Sequence, residues 1–222
     1  EGLHGVPIGV SGKVIGMLSG GIDSPVASYL MMKRGCKVKY VHFFNETINS
    51  LQSLDKVKDL VKKLNEYSKN SKLYIIPFKD IQFEIIKRVP GKYRMIIYKR
   101  FMIRIAERIA RKENAKALIV GDSLGQVSSQ ILSNLEVIRC VSNILILSPL
   151  IGFDKQEIID LANKINTYEI SILPYGDCCS YMIDKHHELR PEKEIIEKLE
   201  SNFDIDRLIT EALEKIEIIY YK

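Results

Sequence analysis

Apolar residues recur along the chain in two rhythms. Short runs dense in Val, Ile, Leu and aromatics occupy residues 13–18, 37–43, 73–77, 117–120 and 144–147. Runs of that length and composition, bounded by glycine or polar residues, predict strands. Between them the spacing changes to that of helices. Residues 25–34 carry Val26, Leu30 and Met31 on one face, and Gly35 stops them. Residues 54–67 hold Val57, Leu60, Val61 and Leu64 in register, 80–88 form a short helix and 93–112 the longest. Residues 154–165 form another, with Asp154 as its N-cap. Residues 45–53 read as a polar loop. Parallel strands need crossovers of a dozen residues or more, so this alternation predicts an α/β fold. Its sheet is open and mostly parallel, with helices on both faces. Residues 1–190 form the main domain. The charged tail, 191–222, is read as helical and packed on the same domain.

Composition narrows the classes. The 222 residues are 46% apolar and 27% charged, enough to enclose a core. The net charge of +5 fits an anionic partner such as nucleotide or RNA, and equally fits a lysine-rich solvated surface. Four cysteines (Cys36, Cys140, Cys178, Cys179) include no CxxC pair and no His/Cys spacing for zinc, so no metal site is expected. Cys36 and Cys140 read as buried structural residues, and His186 and His187, in a charged stretch, as exposed. No signal-like segment and no apolar run of membrane length is present, which predicts a cytoplasmic protein without a membrane partner. The chain starts at Glu1, compatible with a fragment from which an upstream RNA-binding domain is missing.

The distinctive chemistry lies at Ser19-Gly20-Gly21-Ile22-Asp23-Ser24, between the first strand and the first helix. Adjacent glycines let backbone approach an anion closely. The helix start offers unpaired N–H groups and the positive end of its dipole. Pro25 suits a first helical turn, where its missing N–H costs nothing. Ser19 and Ser24 can donate to phosphate oxygens. Asp23 cannot favour phosphate directly, so it either holds Mg²⁺ or orients the loop. The string lacks the Gly-Lys-Ser/Thr ending of a Walker loop and is not GxGxxG. An isolated Gly-Gly would be a plain turn.

SGGxDS is the signature of the PP-loop ATP pyrophosphatases, which share an adenine nucleotide α-hydrolase-like fold. The longer segment 18–27, continuing to Met31-Met32-Lys33-Arg34-Gly35, resembles one branch, the tRNA uridine 4-sulfurtransferases. Gly121-Asp122-Ser123-Leu124-Gly125-Gln126-Val127-Ser128-Ser129-Gln130 and Pro149-Leu150-Ile151-Gly152-Phe153-Asp154-Lys155 are similar to the same branch. The resemblance implies ATP and Mg²⁺ as cofactors, adenylation of the C4 oxygen of a tRNA uridine, and its replacement by sulfur. It implies nucleotide contacts from Met17, Leu18, Ser19, Gly20, Gly21, Ser24, His42, Phe43, Lys99, Gly121 and Gln130. On the residues alone, His42 is a satisfied core side chain or a lid over adenine rather than a base. Arg100, Arg104, Arg108 and Arg111 form a basic stripe; Lys99 and Arg100 are expected near phosphate, and the distal arginines in solvent.

Residues 172–179 are similar to the branch's Pro-x-x-Asp/Tyr-Cys loop, which puts Cys178 on its essential cysteine and gives catalytic roles to Cys178 and Asp23. A thiolate or persulfide is the natural carrier of sulfur. The implied partners are tRNA and a persulfide or sulfide donor such as a cysteine desulfurase, and a homodimer is compatible with the pattern. Some relatives serve thiamine biosynthesis or carry a rhodanese-like domain; no segment within residues 1–222 is expected to form one. The alternatives are another PP-loop adenylating ligase or amidotransferase, and a non-catalytic nucleotide- or RNA-binding module.

Overall fold

A computed structural model of the chain describes residues 5–46, 51–174, 176, 178, 182, 188 and 190–222. In chain order the elements are β1 (Lys13–Met17), α1 (Asp23–Lys33), β2 (Lys37–Phe44), α2 (Leu51–Asn65) and β3 (Lys72–Pro77). Then come α3 (Lys79–Arg88), α4 (Gly91–Lys112), β4 (Ala117–Ile119), α5 (Leu132–Arg139) and β5 (Leu145–Leu147). The chain finishes with α6 (Lys155–Lys164), α7 (Tyr168–Ser171), α8 (Lys193–Glu200), α9 (Ile205–Glu214) and β6 (Glu217–Tyr220). The strands form one sheet in the order β5-β4-β1-β2-β3-β6. All are parallel to their neighbours except β6, which runs antiparallel to β3. The open, mostly parallel sheet expected from the alternating pattern is therefore the fold.

Successive strand residues point to opposite faces, and both faces are buried. Ile15, Val41, Tyr74, Ile76 and Leu118 pack on one side with α3, α4, α5, α8 and α9. Val14, Val38, Tyr40, Leu73, Ile75 and Ile119 pack on the other with α1, α2 and α6. The helices present matching stripes. In α2, Leu54, Val57, Leu60, Val61 and Leu64 recur at helical spacing and all are buried. Helix α6 starts in a capping box: Asp154 Oδ1 accepts from Glu157 N at 2.9 Å, and Glu157 Oε2 accepts from Asp154 N at 2.8 Å. Among the described residues, no helix is long and apolar enough to cross a membrane.

The structure departs from the sequence reading in three places. Helix α2 begins at Leu51, inside the expected polar loop: Gln52 faces solvent, but Ser53 is buried beside Leu54, so the polar residues before Leu54 continue its amphipathic pattern. The tail is not wholly helical. Its last apolar run, Ile218-Ile219-Tyr220, pairs with β3 in the register Leu73↔Ile219 and Tyr74↔Ile218. Cys140 is exposed rather than buried, although its Sγ lies 3.3 Å from the Val137 carbonyl.

The basic stripe of α4 fastens that tail. Arg100 is only 2% exposed; its Nη2 lies 2.6 Å from Glu200 Oε2, and its Nη1 donates to Val137 O. Arg104 grips the same carboxylate through both nitrogens, at 2.6 and 2.8 Å. Arg108 pairs with Asp206, and Arg111 with Glu107. Arg100 is thus turned into the core beneath α8, which corrects its expected place near phosphate. Burial alone would raise the Glu200 carboxyl, but the hydrogen bonds and charges of Arg104 and Arg100 outweigh it and hold it below the usual range. That stabilisation is present at neutral pH and is lost as pH falls through the depressed value.

Removing Glu200 would strand a buried guanidinium, which costs about 3 kcal/mol. For a chain of this size that is a fall in Tm of roughly 6–12 °C. Arg108→Ala, which breaks an exposed pair, should cost under about 1 kcal/mol. Urea titration of Glu200→Ala beside Arg108→Ala measures both, and equal losses would show that the buried contact holds nothing.

Candidate active site at the carboxyl end of the sheet

The chain proceeds from β1 outward through β2 and β3, then returns to the other side of β1 for β4 and β5. The crevice between the carboxyl ends of β1 and β4 is therefore the topological switch point, where open α/β sheets bind ligands. The Ser19–Ser24 loop leaves β1 there and opens α1. Gly20 has φ +92°, a conformation that side chains other than glycine rarely adopt. The two serines hold the loop in a tight curl. Ser24 Oγ accepts from Ser19 N at 3.1 Å and sits 3.2 Å from Ser19 Oγ, which accepts from Gly21 N. No side chain caps the start of α1. Its first-turn N–H groups keep their ability to bind an anion.

Gly121 follows β4 across the crevice. A Cβ there would lie 2.9 Å from Ser24 N and 3.0 Å from Ser24 Cα. The close approach that needs this glycine is to the backbone of α1 itself, so Gly121 sets how near β4 stands to the phosphate loop. Asp23 is already engaged. Lys155 Nζ lies 2.7 Å from its Oδ1, and Gln126 Nε2 donates to its Oδ2 at 2.9 Å. Among the described residues no group of three or more His, Cys, Asp or Glu could hold a metal ion.

The remaining candidates surround this crevice. Leu18 is buried and half-buried Met17 packs on the α4 side. His42 is 4% exposed, with Nδ1 2.8 Å from Leu18 O, and so ties β2 to the end of β1. Phe43 points to the opposite face, edge-on to Phe78. Lys99 Nζ donates to Ser129 Oγ at 2.8 Å, linking α4 to the segment after β4. Gln130 is 8% exposed, and its Oε1 has no hydrogen-bond partner among the described residues. Such an atom is costly unless a ligand or water satisfies it.

Cys178 lies over the carboxyl ends of β2 and β3. It is 7% exposed and packs in the same core as Phe43, Phe78 and Tyr98. Its Sγ is 3.4 Å from Gln82 Oε1, and its carbonyl accepts from Gln82 Nε2 at 2.7 Å. Its segment is tethered at several points. Lys56 Nζ donates to the carbonyls of Ser171 and Leu173 at 2.7 and 2.6 Å. Arg94 Nη1 donates to Met182 O, and Glu188 pairs with Lys92. Burial pulls the Lys56 ammonium down to about 8. Cys179, His186 and His187 lie outside the described residues.

Sequence reasoning gave no role to Gln126, Lys155, Gln82 or Asn45. The first two sit inside motifs already singled out, so their position was a signal. Gln82 and Asn45 carried none; Gln82 meets Cys178 only because the chain folds back across 96 residues.

Residues 9–205 match the family model described as Thiamine biosynthesis protein (ThiI). Two curated relatives are each named "Probable tRNA sulfurtransferase". The one from Brevibacillus brevis is 45% identical over 98% of this chain and 55% of its own length. The one from a Thermoanaerobacter species is 45% identical over 97% and 57%. The chain therefore spans about half the length of these relatives. Among solved structures, a 4-thiouridine synthetase in an RNA complex with bound ATP superposes with a TM-score of 0.94 at 41% identity. That match covers 98% of this chain and 57% of the other. An NMN synthetase from Francisella tularensis, at TM-score 0.57 and 17% identity over 85% and 76%, shares the fold alone. On the extent of the family match and of these identities, the chain belongs to the ThiI family.

Proposed function

We propose that this chain is the adenylating and sulfur-transferring portion of an ATP-dependent tRNA uridine 4-sulfurtransferase. One observation carries the reading: strand β2 borders both halves of the chemistry. Its His42 is bonded to the strand that opens the phosphate loop, and Asn45, just past its end, holds the glutamine that grips Cys178. The relatives' names and the ATP- and RNA-bound synthetase support the same reading.

In this scheme the amides of the Ser19–Ser24 loop and the start of α1 receive the polyphosphate of ATP. Charge that develops on the phosphates meets fixed donors that need no reorganisation. Lys99 adds a cation from α4, and Gln130 offers a buried acceptor to the adenosine. Asp23, neutralised by Lys155 and held by Gln126, keeps the loop's shape rather than ligating a metal. Mg²⁺ enters with the polyphosphate as part of the substrate.

The uridine O4 attacks the α-phosphorus, and the bond to the bridging oxygen breaks to release pyrophosphate. The base now carries AMP as a leaving group at C4. A persulfide on Cys178, loaded by a persulfide donor such as a cysteine desulfurase, attacks C4 through its terminal sulfur and expels AMP. An external thiol then attacks the Cys178 sulfur. The electrons of the sulfur–sulfur bond pass to the new thiocarbonyl sulfur, and the resulting mixed disulfide is reduced by a second thiol. The target base must leave its stack to reach C4, so local distortion of the tRNA accompanies binding.

Cys178→Ser should lower thiolation about 10²-fold or more, while cleavage of ATP to AMP and pyrophosphate continues. Nucleoside mass spectrometry of the tRNA, run beside an AMP assay, separates the halves; unchanged thiolation removes Cys178 from the scheme. Gly121→Ala forces a Cβ onto α1's first turn and should weaken Mg·ATP binding about tenfold or more, some 1.4 kcal/mol. Calorimetric titration reads this directly, and wild-type affinity would separate the crevice from nucleotide binding.

A further inference from the structure

Gln82 lies on α3, outside every motif that pointed to the activity, and its side chain is fully buried. Enclosing an amide costs about 1–3 kcal/mol unless both ends find partners. Here both ends of the side-chain amide engage either the cysteine or one orienting residue. Nε2 donates to the Cys178 carbonyl at 2.7 Å, while Oε1 lies 3.4 Å from Cys178 Sγ and accepts from Asn45 Nδ2 at 2.7 Å. Asn45 is itself fully buried, one residue past β2.

The direction of this amide follows from chemistry. A backbone carbonyl can only accept, so the NH₂ end must face the Cys178 oxygen. The oxygen end is thereby turned toward the sulfur, and Asn45 reinforces the choice by donating to it. A sulfur facing an amide oxygen is favoured as S–H, the donor, and not as a thiolate, which would meet a lone pair. This side chain thus holds the cysteine's backbone and offers its sulfur an acceptor.

We propose that Gln82, oriented by Asn45, is the positioning residue of the sulfur-transfer cysteine, holding Cys178 at rest as a thiol directed at α3. This rests on the reading of Cys178 as the sulfur carrier. The hydrogen bond must open before the sulfur can be loaded, which makes the Asn45–Gln82 pair a restraint on when the cysteine reacts.

Alkylation of Cys178 by iodoacetamide, followed by peptide mass spectrometry with buried Cys36 as internal reference, tests the proposal without turnover. Gln82→Met keeps the length and removes both polar contacts; it should speed alkylation at Cys178 about tenfold. Gln82→Glu keeps an oxygen but sets a negative charge beside the sulfur, and should slow alkylation about tenfold at the same pH. A merely structural role would loosen the segment in both variants and raise both rates. Rates that move together, or do not move, overturn the proposal. If Gln82→Met does not fold, Gln82→Glu decides alone, since loosening and charge repulsion have opposite signs. Wild-type thiolation by Cys178→Ser would instead remove the reading of Cys178 while leaving the alkylation result intact.

Discussion

The backbone contact between Gly121 and the first turn of α1 is the constraint around which the site is arranged. Two neighbouring parallel strands normally have helices and loops that keep their carboxyl ends apart. Here the absence of a single Cβ lets the segment after β4 lie against Ser24 and Asp23. Gln126, from that segment, donates to Asp23, and Lys155, at the start of α6, pairs with the same carboxylate. The loop's shape is thus braced by residues that follow β4 and β5, on one side of the switch point. A loop whose function would rest on main-chain amides depends on such support, because backbone cannot re-aim its donors as a flexible side chain can.

Charge is used differently at adjacent positions of α4. Among the described residues, Lys99 donates to a serine hydroxyl and has no acidic partner. One residue later, Arg100 is drawn into the core and shares Glu200 with Arg104. Adjacent helix positions diverge by about 100°, so neighbours in sequence serve unrelated surroundings. An exposed arginine pair contributes little, whereas the enclosed one becomes costly once broken. The helix is therefore tied to the C-terminal helices mainly through its buried charge, and the exposed Arg108–Asp206 pair adds little.

Much of this was legible in the sequence because it is local. The strand–glycine–helix junction, the period of α2 and the Asp154 cap each depend on a few neighbouring residues, and each kept its place in the fold. What escaped depends on distant partners. The arginine stripe has helical spacing, but whether it faces water or Glu200 is decided a hundred residues away. The run Ile218-Ile219-Tyr220 follows an amphipathic helix and is too short to declare its own period. Gly121 was singled out as a nucleotide contact; that the group it approaches is α1 required the sheet order. Gln82 and Asn45 are unremarkable amides until the chain folds, and their meaning exists only in three dimensions.

The antiparallel strand β6 has a consequence for handling the protein. It covers the outer edge of β3, and the chain end is fastened beyond it by Tyr221 N to Ser71 O and by Asn65 Nδ2 to Lys222 O. An uncovered strand edge is a template for pairing with another molecule. Removing residues 217–222 would therefore expose a ladder of main-chain donors and acceptors along β3, the strand that leads into α3. Shortened versions would tend to associate edge to edge, and their loss of solubility would have nothing to do with the distant crevice.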